Sequence, residues 1–358
     1  MSWQGIEGHD QVVEWFRAAL ARDRLASALL FVGPPGVGKR TLAIKLAQTL
    51  LCQRHPPAEM NPCGQCPGCL QVAAGSHPDL LQVAKPENKR DIPISLLIGE
   101  GEKRMKEGLC HDLGLKPFMA GRKVALIDDA DYLNAEGANC LLKTLEEPPP
   151  RSVMILVGTS PDRQLPTIRS RCHIVRFAPL ASEIVARLLV QTELCDDPDE
   201  ARRLACYSDG SLSRAAELAD PDLWQFRGRL LSWLARPKPA DLAFAGEVSS
   251  FVDDAGKEAP KRRARVRQLA GFAVEFYRQQ LRGLHGAAAG DDPELARAVD
   301  QAIQSGAREP ERIEAALHRC LETLSQVDRN ANQATMLECW LDDLAQLAAG
   351  APIASVRS

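Results

Sequence analysis

Short, continuous apolar runs recur through the first half of the chain, each bounded by turn-forming residues. They are ALLFV at 28–32, DLLQV at 79–83, VALID at 124–128, VMILVG at 153–158 and IVRF at 174–177. Short runs that are apolar throughout, rather than at alternate positions, suit strands buried on both faces. That is the condition of a parallel sheet covered by helices. Residues 1–27 read as helical, with Val12, Val13, Trp15, Phe16 and Leu20 on helical spacing, and helix-like segments separate the later runs. The predicted unit over residues 1–178 is therefore an α/β domain, a parallel sheet flanked by helices. No internal repeat is visible.

Past Pro179 the strand-like runs stop. Residues 181–220 are rich in Ala, Leu and Arg and contain a turn at Gly210–Ser211. Pro237 and Pro239 interrupt the pattern, and residues 260–350 are helical again, with Leu269, Phe272, Ala273 and Phe276 on helical spacing. The expected plan is an α/β domain over 1–178, a small helical domain over 179–222, a larger all-α domain over 223–350 and a frayed tail over 351–358.

Composition narrows the class. A length of 358 residues suits about two or three domains. The 45% hydrophobic and 25% charged content is that of an ordinary water-soluble chain, and the 5% aromatic share leans toward helices. A net charge of −3 offers nucleic acid no bulk attraction, so any contact with DNA must come from a local basic patch. Glu7 and Asp10 interrupt the first residues, which do not read as a signal peptide, and no apolar run approaches the ~18 residues of a membrane helix. A cytoplasmic protein with no membrane partner is expected.

The stretch GPPGVGKRT follows the first apolar run and opens a helical one, TLAIKLAQTL. Strand, glycine loop and helix are the context of a phosphate-binding loop, G-x-x-x-x-G-K-S/T, in which backbone N–H groups and the helix N-terminus cradle an anion. Gly33, Gly36, Gly38 and Lys39 fit it, and Lys39 is placed to reach the β/γ-phosphates. Arg40 stands where the Mg²⁺-binding hydroxyl belongs. Thr41 is turned from that position by about 100° of helix. In VALIDDAD, Asp128 takes the metal-side role, and Asp129 stands where many such ATPases carry a Glu that positions water. Asp is one methylene shorter, so both departures point to weak or absent hydrolysis. The competing readings are a chance glycine turn and an acidic loop after a strand.

Eleven cysteines are many for a cytosolic chain. Cys110, Cys140, Cys172, Cys195, Cys206, Cys320 and Cys339 are scattered and expected to be reduced and mostly buried. Cys52, Cys63, Cys66 and Cys69 are clustered as C-x10-C-x2-C-x2-C among Pro and Gly turns. Four thiolates close a tetrahedral Zn²⁺ site with no position left for water, so a structural zinc is expected. Disulfides or free thiols are the alternatives. His55 and His77 flank the cluster but are not needed as ligands.

Several local motifs now converge. They are the cysteine module just after the loop's helix, G-S-H-P-D at 75–79, N-x-L-L-K-T-L-E-E-P-P at 139–149 and T-I-R-S-R-C at 167–172. On these residues the chain resembles the AAA+ clamp-loader family of bacterial DNA polymerase III. The resemblance spans about half the chain and agrees with the layout of the remainder. It implies an AAA+ α/β domain with an inserted zinc module, a helical lid and a collar domain that packs in a ring of five subunits. It further implies a part in placing the sliding clamp on primed DNA, within a polymerase (nucleotidyltransferase) holoenzyme. Implied partners are the gamma/tau and delta subunits, the clamp and, through the assembled complex, primer-template DNA.

Within that family the resemblance is to the stator rather than to a motor. It implies that Arg171, in Ser170-Arg171-Cys172, is an arginine finger for a neighbour's ATP site, with Arg169 a candidate second contact. The bland alternative is that both arginines solvate a helix end. Thr159 or Ser160 fits the polar sensor after the fourth strand, or else is a turn residue. Ser213 stands where motors carry the lid arginine of G-S-x-R, and Arg214 is displaced by one. Zinc is the expected cofactor, and ATP/Mg²⁺ is expected to be weak or absent. LLKTLEEPPP at 141–150 reads as a helix ended by prolines, and Glu146 and Glu147 read as its solvated end, with subunit contacts the alternative and no catalytic role. The run KRRARVR at 261–267 reads as a solvated helix face before it reads as a phosphate contact. The rival readings are an active gamma/tau-like ATPase motor, disfavoured by Arg40, Asp129 and Ser213, and a zinc-dependent nucleic-acid module, disfavoured by the closed cysteine set and the negative charge.

Overall fold

The computed structural model describes residues 3–237, 242–286, 292–329 and 331–350, so Pro239 and the tail 351–358 lie outside the described residues. The chain forms two compact units that divide between Ala219 and Asp220.

The first unit begins with α1 (Asp10–Ala21), β1 (Ala28–Val32), α2 (Lys39–Leu51), α3 (Pro67–Ala73) and β2 (Leu80–Val83). It continues through α4 (Ile94–Ile98), α5 (Leu109–Gly114), β3 (Lys123–Ile127), α6 (Ala135–Glu146), β4 (Ser152–Val157), α7 (Pro166–Arg169) and β5 (His173–Arg176). The five strands make one sheet in the order β2-β3-β4-β1-β5, every pairing parallel. Each lies within one residue of an apolar run.

β1, β3 and β4 are buried at every position because both faces are covered. Leu29 and Phe31 join Leu126 and Ile155 in a core with Phe16 of α1 and Leu42 and Leu46 of α2. Leu30 and Val32 turn the other way and meet Ile127 and Leu156 in a core with Leu97, Leu113, Leu141 and Ile168. Period-two alternation of continuous apolar residues thus feeds two cores from one sheet. Burial on both sides fixes the register, since a one-residue slip would exchange the two cores.

One expectation needs correction at the start of this unit. The helix begins only at Asp10, and before it Trp3 and Ile6 pair in an isolated bridge while Trp3 Nε1 donates to Met60 O at 2.6 Å. Apolar spacing alone could not separate this turn from the helix that follows. Three further helices close the unit: α8 (Ser182–Gln191), α9 (Pro198–Tyr207) and α10 (Leu212–Glu217).

The described residues of the second unit are helical: α11 (Pro221–Leu234), α12 (Leu242–Asp254), α13 (Ala259–Leu284), α14 (Pro293–Gln304), α15 (Pro310–Asp328) and α16 (Gln333–Ala348). Trp340 and Phe276 are fully buried in it. Buried Arg227 of α11 pairs with Asp292 at 2.5 Å and Glu294 at 2.6 Å at the start of α14, which fixes one helix against the other. A buried cation must be paired in this way, and removing one partner is costly. The basic run lies on α13, where Arg262 pairs with Asp253 at 3.1 Å and Arg265 with Asp220 at 2.5 Å.

The scattered cysteines also depart from expectation. Cys195 and Cys320 are buried, but Cys110, Cys140 and Cys172 are half-buried and Cys206 and Cys339 exposed. A thiol is small enough to sit on the outer edge of an amphipathic helix, so residue type alone overstates its burial.

Candidate functional site

The loop between β1 and α2 is built by its glycines. Gly36 has φ +72°, and a Cβ there would collide with Ser211 Oγ and Ser213. Gly38 has φ +96° immediately before α2. Only glycine takes these conformations without strain.

The loop's backbone is tied on every side. Gly33 N–H donates to Thr159 O at 3.0 Å, and Leu212 N–H, at the start of α10, donates to Gly36 O at 3.0 Å. His9 Nε2 meets Val37 O at 2.6 Å. Lys39, almost fully buried, donates from Nζ to Gly33 O at 2.7 Å and Pro34 O at 2.5 Å. Burial pulls the Lys39 ammonium below its ordinary value, against the opposing pull of Asp131 and Asp128.

Arg40 is exposed, and its Nε lies 2.9 Å from Asp128 Oδ2. A guanidinium therefore neutralises the carboxylate that ends β3. Thr41 is exposed. Asp129 is exposed in the left-handed region at φ +55°. Desolvation by the surrounding chain and then the charge of neighbouring Asp128 raise its carboxyl above the usual range. Thr159 does not stand free. Its N–H and Oγ1 both donate to Asp131 Oδ2, at 2.8 and 2.5 Å, and Gln164 Nε2 donates to Asp131 Oδ1 at 2.9 Å. The structure thus brings Gly33, Gly36, Gly38, Lys39, Arg40, Asp128 and Thr159 together. The roles of His9, Asp131, Gln164 and Leu212 N–H went unread. Asp131 alone had a signal, as the third acid of VALIDDAD.

Cys52 follows α2, and Cys63, Cys66 and Cys69 come from the turn into α3. Their four sulfurs lie within 4.8 Å of one another, and Cys63 Sγ is 3.9 Å from Cys69 Sγ. Arms of 2.3 Å at tetrahedral angles separate sulfurs by about 3.8 Å, so the set fits a four-thiolate metal. Backbone N–H groups point at three of them: His55 to Cys52 at 3.4 Å, Cys66 to Cys63 at 3.3 Å and Cys69 to Cys66 at 3.4 Å. Gly68 leaves no room for a side chain, since a Cβ would stand 2.6 Å from Leu51 O. All four are free thiols in a group that could bind a metal ion.

Arg171 follows α7. Its Nη1 donates to Thr167 O at 3.0 Å and Ser170 Oγ at 3.2 Å, and its Nη2 pairs with Glu146 at the end of α6. Arg169 pairs with exposed Asp162 at 3.0 Å. Arg214 pairs with Asp209, while Ser213 packs beside Gly36.

A parallel sheet, a glycine loop after its first strand and a lysine at the start of the next helix define a P-loop α/β protein. In this one an arginine answers the acidic strand end. Its relatives narrow the class. The family model described as DNA polymerase III, delta subunit, matches residues 8–181. The chain is 39% identical over 202 residues to the DNA polymerase III subunit delta' of Pseudomonas aeruginosa, covering 55% of this chain and 57% of that one. It is 32% identical over 262 residues to that of Escherichia coli, covering 73% and 71%. It is 31% identical over 223 residues to that of Bacillus subtilis, covering 62% and 63%. The chain belongs to the family of DNA polymerase III delta' subunits. Its matches span from 57% to 71% of the length of these relatives. A solved structure described as a DNA polymerase III gamma subunit-related protein of Thermotoga maritima aligns with 93% of this chain and 99% of its own, with 16% identity and a TM-score of 0.42.

Proposed function

We propose that this chain is the stator and assembly subunit of a DNA polymerase III clamp loader, which helps place the sliding clamp on primed DNA. The observation that carries the reading is the Arg40–Asp128 pair, 2.9 Å long, inside an otherwise well-formed phosphate loop. A motor needs a hydroxyl and a carboxylate on Mg²⁺ at that point. An arginine supplies a fixed positive charge and no ligand. Turnover at this chain's own site is therefore weak or absent, and any nucleotide held by Gly33, Gly36, Gly38, Lys39 and Thr41 is held without efficient hydrolysis. The gamma/tau-like motor is not favoured.

In this reading residues 1–178 form the AAA+ domain, with a structural zinc on Cys52, Cys63, Cys66 and Cys69. Residues 179–222 form the lid and 223–350 the collar. Arg171 is the finger offered to a neighbour's ATP, and Thr159 is a sensor diverted to Asp131. Partners are the gamma/tau and delta subunits, the clamp and, through the complex, primer-template DNA in the cytoplasm. No helix among the described residues is long and apolar enough to cross a membrane.

The test is assembly and turnover measured together. The purified chain is expected to hydrolyse no ATP above background, yet to form a stable complex with motor and delta subunits that hydrolyses ATP on primed DNA. Turnover by the isolated chain, or failure to join the complex, contradicts the proposal.

A further inference from the structure

Glu146 ends α6 and Arg171 follows α7, 25 residues later, and the two side chains form an ion pair. They belong to two sequence motifs, L-L-K-T-L-E-E-P-P and S-R-C, whose connection is invisible along the chain. An acid in the last turn of a helix opposes the helix dipole, so Glu146 is unfavourable there on local grounds. Its favourable partner is the arginine. Arg171 in turn lies against the carbonyl end of α7, where a cation is welcome, and its side chain is 33% exposed.

The donor count gives the pair its meaning. A guanidinium carries five N–H groups. Thr167 O and Ser170 Oγ engage Nη1, and Glu146 engages one N–H of Nη2. The Nε–H and one Nη2 N–H remain uncommitted among the described residues. Coplanar N–H donors on one guanidinium match the oxygens of a phosphate. We propose that Glu146 is a positioning residue: it locks the plane of the Arg171 fork so that these two donors face outward to a phosphoanhydride held by a neighbouring subunit.

This inference rests on the stator reading, and its test separates the two. In the assembled loader on primed DNA, Glu146→Gln is expected to lower kcat for ATP roughly tenfold with little change in KM, because orientation acts on the transition state. Glu146→Asp is expected to recover part of the loss. The double variant Glu146→Gln with Arg171→Ala is expected to be no worse than Arg171→Ala alone. In the isolated chain, phenylglyoxal is expected to modify Arg171 several-fold faster in Glu146→Gln than in the wild type, as read by mass spectrometry.

If Arg171→Ala slows turnover while Glu146→Gln changes neither kcat nor the modification rate, the positioning role falls and the finger stands. A double variant clearly worse than Arg171→Ala assigns Glu146 some other part and overturns the proposal. If Arg171→Ala has no effect in an intact complex, the finger reading falls and this inference with it.

Discussion

Arg40 Nε and Asp128 Oδ2 lie 2.9 Å apart, joining the first turn after the phosphate loop to the end of β3. In a working P-loop enzyme these two positions hold one divalent cation between them. Here the cation is part of the chain. The pair is largely exposed on the arginine side, so it adds at most about 1 kcal/mol to stability. Its effect is on what the site can bind.

The first prediction follows directly. A fluorescent ATP analogue is expected to bind the isolated chain weakly, with Mg²⁺ changing its affinity less than about twofold, since no metal ligand pair remains. Arg40→Thr frees Asp128 and supplies a hydroxyl. Its affinity is expected to become dependent on Mg²⁺ by roughly tenfold. Strong Mg²⁺ dependence in the wild type would show that Arg40 leaves Asp128 when nucleotide arrives.

Gly36 tests the loop's architecture. Gly36→Ala forces a side chain into φ +72° and against Ser211 and Ser213 of the α10 turn. The cost is expected to be about 1–3 kcal/mol in urea unfolding. Adding Ser211→Ala is expected to recover only part of it, because the backbone strain remains. A neutral Gly36→Ala would mean that in solution Gly36 neither holds φ +72° nor packs against the α10 turn.

The cysteine module predicts a metal content. Elemental analysis is expected to find one zinc per chain, and Cys66→Ser to lose it. With four closed ligands the metal contributes to folding, so the loss is expected to lower Tm by roughly 5–10 °C, equivalent to about 2–3 kcal/mol for a unit of this size. Full stability without zinc would reduce the module to four free thiols.

Asp79 predicts the acid limb of stability. It is fully buried and accepts the N–H groups of Phe118 at 2.6 Å, Met119 at 2.7 Å and Ala120 at 2.9 Å. Burial works to raise its carboxyl, but those three donors and His77 outweigh it and hold it below the ordinary 3.8. The unfolded chain therefore takes up this proton first as pH falls. The stabilisation is complete above pH 3.8 and is lost as pH drops through the lower folded value. Asp79→Asn is expected to be less stable at neutral pH and to show a shallower loss of stability below pH 4. An unchanged pH profile would mean that the Asp79 carboxyl titrates alike in the folded and the unfolded chain.

Much of this was legible in the residues because burial on both faces of a sheet demands continuous apolar runs. The inner strands β1, β3 and β4 declared themselves that way, the edge strands β2 and β5 showed as runs although they are only partly buried, and the loop and cysteine cluster showed through spacing. What stayed hidden depends on contacts between distant segments. G-S-H-P-D was visible as a motif, but nothing in it says that its Asp79 anchors residues 118–120. Glu146 looked like a solvated helix end because its partner lies 25 residues away. His9 gave no sign that it would clasp Val37 O, and Thr159 none that Asp131 would take its hydroxyl. Side chains that bridge elements carry no periodicity of their own, so only the assembled fold exhibits them.

The central claim is that this chain acts on a neighbour's nucleotide while its own site stays idle. The most direct measurement is ATP turnover by the reconstituted loader with clamp and primed DNA, comparing wild type with Arg171→Ala in this chain alone and confirming assembly of both. The account predicts a fall of roughly tenfold or more with the complex intact, because a positioned guanidinium stabilises the charge of the phosphoryl-transfer transition state. Unchanged turnover in an intact complex would contradict it and leave the chain as a scaffold.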